Sequence, residues 1–176
     1  KYLLKIIGVL ALAGCTQVEN PDQSVNSRFW GHRFSLANDI QYGDSADQKL
    51  DIYSQGQWIG EPYYWKSDSI AHPTLIYIHG GGWLGGSKDQ ITPFIIPYLE
   101  KGWNVVTLEY RKGEATAPQA VNDCMQAIQW TGKHAGEYNI DPHKLVISGE
   151  SAGGHLALIT GMLSSIPGSN RFYAGD

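Results

Sequence analysis

Apolar and polar positions alternate over residues 39–42 and 49–53, where Leu50 and Ile52 fall on one side and Asp51 and Tyr53 on the other. A period of two predicts strands with one buried face. The cluster Gly43-Asp44-Ser45-Ala46-Asp47 between them predicts a hairpin turn. Residues 56–72 follow no period and carry Pro62 among aromatic residues, so a loop is expected there. The rhythm then becomes continuous. Thr74-Leu75-Ile76-Tyr77-Ile78, Asn104-Val105-Val106-Thr107-Leu108 and Leu145-Val146-Ile147 are nearly unbroken apolar runs. That is the pattern of central parallel strands covered on both faces. Residues 91–101 read as helical, with Gly102 as the stop signal and Pro97 predicting a break or a late start. Residues 117–138 predict a long helix with Pro118 in its first turn. Val121, Met125, Ile128 and Gln129 lie near one stripe of it, with Cys124 beside them. Asp141-Pro142 predicts a turn. A last helix is expected from Ser151 to Leu163, with Gly161 and Pro167-Gly168 at its exit. A hairpin followed by three strand–helix pairs predicts an α/β sheet, antiparallel at one edge and parallel beyond it.

The first fifteen residues obey a different logic. Lys1 and Lys5 are basic, no acid precedes Glu19, and residues 6–14 form an apolar run. The run is far shorter than the roughly 20 residues that span a bilayer. A basic start, a short apolar core and small residues at its end predict a secretory signal peptide. Leu12-Ala13-Gly14-Cys15 resembles the lipobox of bacterial lipoproteins. The resemblance implies that residues 1–14 are removed, that Cys15 is lipidated, and that the protein is exported and held at a membrane by acyl chains. Residues 15–35 are polar and read as a tether. Residues 36–176 remain as the globular part, with Phe29-Trp30 and Phe34 expected to dock on it.

Composition narrows the class. The 176 residues are 42% hydrophobic, too apolar for a disordered chain and enough for one domain with a real core. A net charge of −4 without a run of one sign argues against nucleic acid as a partner. Two cysteines exclude a disulfide scaffold and a four-cysteine zinc module. There is no H-E-x-x-H, and Cys15 and Cys124 are too far apart to form a ligand pair, so neither a metal nor another cofactor is expected. With Cys15 lipidated, Cys124 reads as a small buried apolar group.

Chemistry concentrates in two glycine segments, each directly after a buried strand. Gly149-Glu150-Ser151-Ala152-Gly153 matches G-x-S-x-G. In that elbow a serine sits on a tight strand-to-helix turn, flanked by glycines because a Cβ there would collide with neighbouring elements. Its oxygen meets the helix N-terminus, where the dipole favours negative charge. His79-Gly80-Gly81-Gly82-Trp83 lies about 72 residues earlier. Its glycines leave backbone N–H groups unshielded toward an anion, the form of an oxyanion hole. A phosphate loop fails on detail, since neither G-K-[ST] nor a helix-initiating G-x-G-x-x-G is present.

Together with Glu109-Tyr110-Arg111, Asp141-Pro142, Gly154-His155-Leu156-Ala157 and Gln48-Lys49-Leu50-Asp51-Ile52-Tyr53, these segments resemble the α/β-hydrolase fold. The nearest groups are the HGGG esterases: hormone-sensitive-lipase-like carboxylesterases, feruloyl and acetyl esterases, and kynurenine formamidase. The resemblance runs from about residue 39 to 163. It implies a three-layer sandwich around a mostly parallel sheet, with further C-terminal strands beyond this chain. It also implies hydrolysis of a small carboxylic ester through an acyl-enzyme. Ser151 matches the nucleophile, the N–H groups of Gly81, Gly82 and Ala152 the oxyanion donors, and His79 with Gly80 the support of the oxyanion loop. Trp83 would line a substrate pocket or simply pack. Glu150 departs from the Asp or His common before the serine, which leaves the subfamily open.

The general base and its acid are missing from the expected order. After Ser151 the sole histidine is His155, four residues along the same helix and badly placed to reach the serine oxygen. The acid and base of the triad are therefore expected beyond Asp176, and the chain, which starts at Lys1 without Met, reads as the first part of a longer domain, inactive alone. His32, His72, His134 and His143 are expected in solvent. Asp123 and Arg111 could pair, and Glu137, Asp141 and Asp89 read as solvated or capping acids. An amidase, formamidase or serine peptidase of the same fold, and a hydrolase-like binding protein without catalysis, remain open alternatives.

Overall fold

The computed structural model describes residues 34–59 and 64–164. The expected signal peptide, Cys15, nearly all of the expected tether with Phe29-Trp30 and His32, and Pro167-Gly168 lie outside the described residues. The chain runs β1 (Phe34–Gln41), β2 (Lys49–Ile59), β3 (Tyr64–Ser67), β4 (His72–Ile78), α1 (Thr92–Glu100), β5 (Asn104–Leu108), α2 (Ala117–Lys133), β6 (Ile140–Gly149) and α3 (Ala152–Ser164). The main sheet has the order β1-β2-β5-β4-β6, with β3 paired to β2. β1, β2 and β5 pair antiparallel, while β5, β4 and β6 pair parallel. The expected mixed sheet, antiparallel at one edge, is therefore present.

Alternation along the central strands splits the core in two, which makes the three layers. Leu75, Tyr77 and Val105 point to the face covered by α1, where Ile91, Ile95 and Leu99 meet them. Ile76, Ile78, Val106, Leu108 and Ile147 point to the other face, against Ala120, Val121, Cys124 and Ala127 of α2 and Leu156 and Ala157 of α3. Cys124 is free and fully buried, and burial pushes its thiol well above the ordinary range.

Several elements depart from the pattern-based expectation. β1 begins at Phe34, five residues ahead of the strand expected from Asp39 and two ahead of the expected start of the globular part, and Phe34 meets Tyr53 edge-on at 5.7 Å. The expected loop over 56–72 is largely strand: β2 continues to Ile59 and β3 pairs back onto it from Gly56↔Ser67 to Ile59↔Tyr64. The aromatic residues that spoil its period are strong strand formers. Pro97 neither breaks nor delays α1. It lies on an exposed face, where a carbonyl without a helical partner meets water. The long helix ends at Lys133, and a 3-10 turn, Ala135–Tyr138, closes on Asn139 at φ 53°. Val121 and Met125 are buried there, while Gln129 is exposed. Asp141-Pro142 is not a free turn but a bulge in β6. Ile140 faces His72 and Leu145 faces Thr74, so the residues between them have no register partner. Asp141 Oδ1 accepts from the His143 N–H at 2.9 Å within the bulge. Gly161 lies inside α3, not at its exit.

Candidate active site

β4 and β6 are neighbours in parallel register, so their C-terminal ends lie side by side, with Ile78 opposite Gly149. The two glycine segments leave from those ends. Around the elbow the backbones are in contact. A Cβ on Gly149 would stand 2.4 Å from Ile78 O, and one on Gly153 only 2.1 Å from the same oxygen and 2.5 Å from His79 O. A Cβ on Gly80 would lie 3.3 Å from the Ser151 Cβ. Only glycine at 149 and 153 lets α3 dock this closely on the end of β4. Ser151 sits between them at φ 50°, a left-handed conformation costly for a residue with a Cβ. Strain of this kind persists where surrounding contacts over-determine the backbone. The residue is exposed, the buried Ala152 opens α3, and the Ser151 carbonyl accepts from the His155 N–H at 3.1 Å.

The second segment folds into a compact loop. Gly81 O accepts from the N–H groups of Leu84 and Gly85 at 3.1 and 3.0 Å. Gly81 and Gly86 are at φ 113° and 86°, and a Cβ at either would strike loop backbone at 2.2–2.3 Å. Among the described residues nothing accepts from the N–H of Gly81, Gly82 or Ala152. Backbone N–H groups without acceptors and one exposed serine hydroxyl thus leave from neighbouring strand ends, an arrangement that fits an anion site.

His79 is buried beneath the loop. Its Nδ1 is 2.7 Å from Gly80 O, which can only accept, so Nδ1 carries a proton. Its Nε2 lies 3.3 Å from Glu109 Oε2, and its ring stacks on Tyr110 at 4.4 Å. The Tyr110 hydroxyl donates to His79 O at 3.1 Å. Glu109 also accepts from the Lys88 N–H at 2.7 Å and from Lys112 Nζ. Burial alone would raise the Glu109 carboxyl. The bonds from His79, Lys112 and the Lys88 N–H outweigh it and hold the group at about 2. Lys88 is itself buried. Its ammonium meets Asp51 at 2.8 Å, Asp89 at 3.0 Å and Asp39 at 3.3 Å. Burial opposes its charge, and those carboxylates overcome the penalty, lifting it above the ordinary lysine range. Glu109, Lys88 and Lys112 form a polar bed under the loop that sequence reasoning missed. The one available signal was a charged residue placed directly after a buried strand.

The remaining expectations sort as follows. Trp83, at φ 63°, is half-buried against the core, and its ring meets His155 edge-on at 5.4 Å. Its Nε1 is buried without a partner among the described residues. The exposed His155 ring makes no hydrogen bond to Ser151. His72 is not in solvent. It is buried, with Nδ1 2.8 Å from Gly102 O and Nε2 2.7 Å from Asp68, because β4 begins there and carries it under the sheet edge. His134 is half-buried and stacks on Trp130 at 3.9 Å. His143 is exposed as expected. Asp123, fully buried, takes Arg111 through Nε and a terminal nitrogen at 2.6–3.2 Å. Asp89 and Glu137 are exposed, and Asp141 caps the bulge.

Comparison with known proteins agrees with this geometry. Residues 62–172 match the family model BD-FAE. Esterase LipQ of Mycobacterium tuberculosis is 31% identical over 137 residues, covering 74% of this chain and 30% of that protein. A truncated form of a carbohydrate esterase from gut microbiota superposes with a TM-score of 0.60 at 26% identity, over 72% of this chain and 43% of that one. Esterase B from Lactobacillus rhamnosis superposes with a TM-score of 0.68 over 86% of this chain and 47% of that one; at 21% identity it shows the shared fold. The chain thus spans about 30% of the length of LipQ and just under half of the solved esterases. A mixed sheet bearing an elbow serine beside a three-glycine loop, together with the matched model, places this chain in the BD-FAE family of α/β-hydrolases.

Proposed function

We propose that the whole protein is a serine hydrolase cleaving small carboxylic esters, with Ser151 as nucleophile and the N–H groups of Gly81, Gly82 and Ala152 as its oxyanion hole. One observation carries the reading: the exposed serine of a strained elbow lies at the junction of the two segments, and among the described residues the N–H groups of Gly81, Gly82 and Ala152 have no acceptor. Ser151 Oγ adds to the ester carbonyl carbon, its proton passes to a base, and the carbonyl electron pair moves onto oxygen. Collapse of that oxyanion expels the alcohol, and water then releases the acid from the acyl-enzyme. Removing one oxyanion donor typically costs roughly 2.7–4 kcal/mol of transition-state stabilisation. Among the described residues, neither His155, which faces Trp83, nor His79, buried under the loop, is placed to act as that base. The names of the esterase relatives support the ester class.

The reading includes export and anchoring through a lipid on Cys15, supported by the lipobox-like Leu12-Ala13-Gly14-Cys15. Metabolic labelling with a fatty acid tests it: label is expected on the wild type and lost in Cys15→Ser. The chemistry is tested in the protein expressed from its complete coding sequence. A fluorophosphonate is expected to label Ser151, and Ser151→Ala is expected to abolish both labelling and turnover of short acyl esters. Unchanged ester turnover in Ser151→Ala refutes the assignment.

A further inference from the structure

The glycines that free the oxyanion donors also free them to turn away. A peptide flanked by two glycines rotates at little steric cost, so the donor direction at Gly81 has to be imposed from elsewhere. A trans peptide points its C=O and its N–H in opposite directions. Whatever grips the Gly80 carbonyl therefore aims the Gly81 N–H. That grip is His79, whose Nδ1 lies 2.7 Å from Gly80 O; Tyr110 Oη stands 3.4 Å away as a weaker second donor. The next peptide is held differently, by Leu84 and Gly85 N–H on Gly81 O, with no side chain involved.

His79 holds its aim only if its other nitrogen is held too. The partner there is Glu109 Oε2 at 3.3 Å, on the residue that follows β5 and is anchored by its own backbone to Lys49 O at 2.8 Å. Glu109 is fixed from three further directions. Lys88 N–H donates to Oε1 at 2.7 Å, Lys112 Nζ pairs with Oε2 and reaches Gly86 O at 3.1 Å, and the Tyr42 hydroxyl donates to the Glu109 carbonyl at 2.5 Å. A line of contacts thus runs from the sheet through Glu109 and His79 to one peptide plane.

We infer that Glu109 is a positioning residue of the oxyanion hole: by orienting His79 it holds the Gly80–Gly81 peptide with the Gly81 N–H turned toward Ser151. The inference rests on the serine-hydrolase reading above and adds a residue that never touches the substrate. Its mark is selective. The loss falls on oxyanion stabilisation and leaves substrate binding nearly alone.

The test uses the full-length protein with Glu109→Gln, Glu109→Asp and, as control, Ser151→Ala. Rates are measured on a short acyl ester and on the matching thionoester, whose sulfur is a poorer hydrogen-bond acceptor and gains less from the hole. In Glu109→Gln, kcat on the ester is expected to fall roughly 10- to 100-fold with KM within about twofold, as for a donor displaced by a fraction of an ångström. The ester-to-thionoester ratio shrinks with it. A merely structural defect lowers both rates together and leaves the ratio intact. Glu109→Asp, which keeps the charge, recovers part of the ratio and serves alone if Glu109→Gln melts below the assay temperature. A second readout needs no turnover: the Gly81 amide in a 15N spectrum is expected to shift and broaden in Glu109→Gln and to return toward its wild-type position in Glu109→Asp. An unchanged ratio, or an unmoved Gly81 amide, overturns the role of Glu109. Turnover surviving in Ser151→Ala instead overturns the serine reading, and the amide still decides on Glu109.

Discussion

Gly153→Ala measures how tightly the elbow is built. The added Cβ would stand 2.1 Å from Ile78 O and 2.5 Å from His79 O, against an ordinary non-bonded separation of roughly 3.5 Å. More than about 1 Å must be found somewhere. Ile78 cannot yield it, because its strand is paired on both sides, to Leu108 and to Gly149. Helix α3 has to lift instead, carrying Ala152 and Ser151 away from the Gly80–Gly82 loop. Overpacking in a tight site costs typically 1–3 kcal/mol, and a clash of a Cβ with strand backbone falls at the upper end, about 3 kcal/mol. For a domain of 150–250 residues that lowers Tm by about 6–12 °C. A displacement near 1 Å at the reacting group costs on the order of 100-fold in rate. The assays are thermal melting and the rate of fluorophosphonate labelling. The control is Gly132→Ala in α2, where no atom lies within 4 Å of the added Cβ; it is expected to gain about 0.5–1 kcal/mol. A Gly153→Ala protein that melts with the wild type and labels at its rate refutes the argument that backbone contact sets the elbow.

Three further outcomes follow from the same contacts. Ser151→Gly relieves the left-handed strain at φ 50° and is expected to raise stability by about 1 kcal/mol while abolishing labelling, read by melting and labelling on one sample. Lys88→Met leaves Asp51 buried without its cation and is expected to cost about 3–5 kcal/mol in denaturant unfolding, with most of it restored by adding Asp51→Leu. Because Glu109 is depressed from 4.5 to about 2, its contribution to stability is complete above pH 4.5 and is lost as pH falls toward 2. Glu109→Gln is expected to flatten that part of the stability–pH curve, and an unchanged acid limb would contradict the assignment.

The fold was legible where burial was two-sided. β5 was bounded to the residue, because Asn104 to Leu108 is buried throughout and has no competing period. The hairpin strands and the β2–β3 extension were harder, since aromatic residues there hid the alternation and pairing is decided by a partner that local pattern does not contain. The Asp141-Pro142 bulge misled for the same reason: its sequence is that of a turn, and only its parallel partner β4 keeps it in the sheet. At the site, the glycines were readable because each answers to one local steric demand. Glu109, Lys88 and Asp51 were not. Their meaning depends on three separate chain segments meeting under the loop, and a charged residue beside a strand looks solvated until those segments are placed. The pair Asp123–Arg111 was readable because both ends border one connection, twelve residues apart.

The position of the site follows from the order of the strands before any residue type is considered. β4, β5 and β6 are consecutive parallel strands, yet β4 stands between the other two. The chain therefore leaves β4 in one direction to form β5 and must later return past β4 to form β6. The helices that leave β4 and β6 cover opposite faces: α1 packs with Leu75, Tyr77 and Val105, whereas Leu156 and Ala157 of α3 pack with the cluster of Ile76, Ile78 and Val106. Where two adjacent strands send their connections to opposite faces, the expected crevice lies outside their carboxyl ends. Those ends are Ile78 and Gly149. The residues leaving them are the ones whose backbones must face the crevice at close range, and glycine is the residue that permits this at Gly80, Gly149 and Gly153. A sheet of this order that carried bulky residues at those three positions could not bring the two segments so close together. Topology thus supplies the opening, glycine supplies the approach, and the polar bed of Glu109 and His79 supplies the direction.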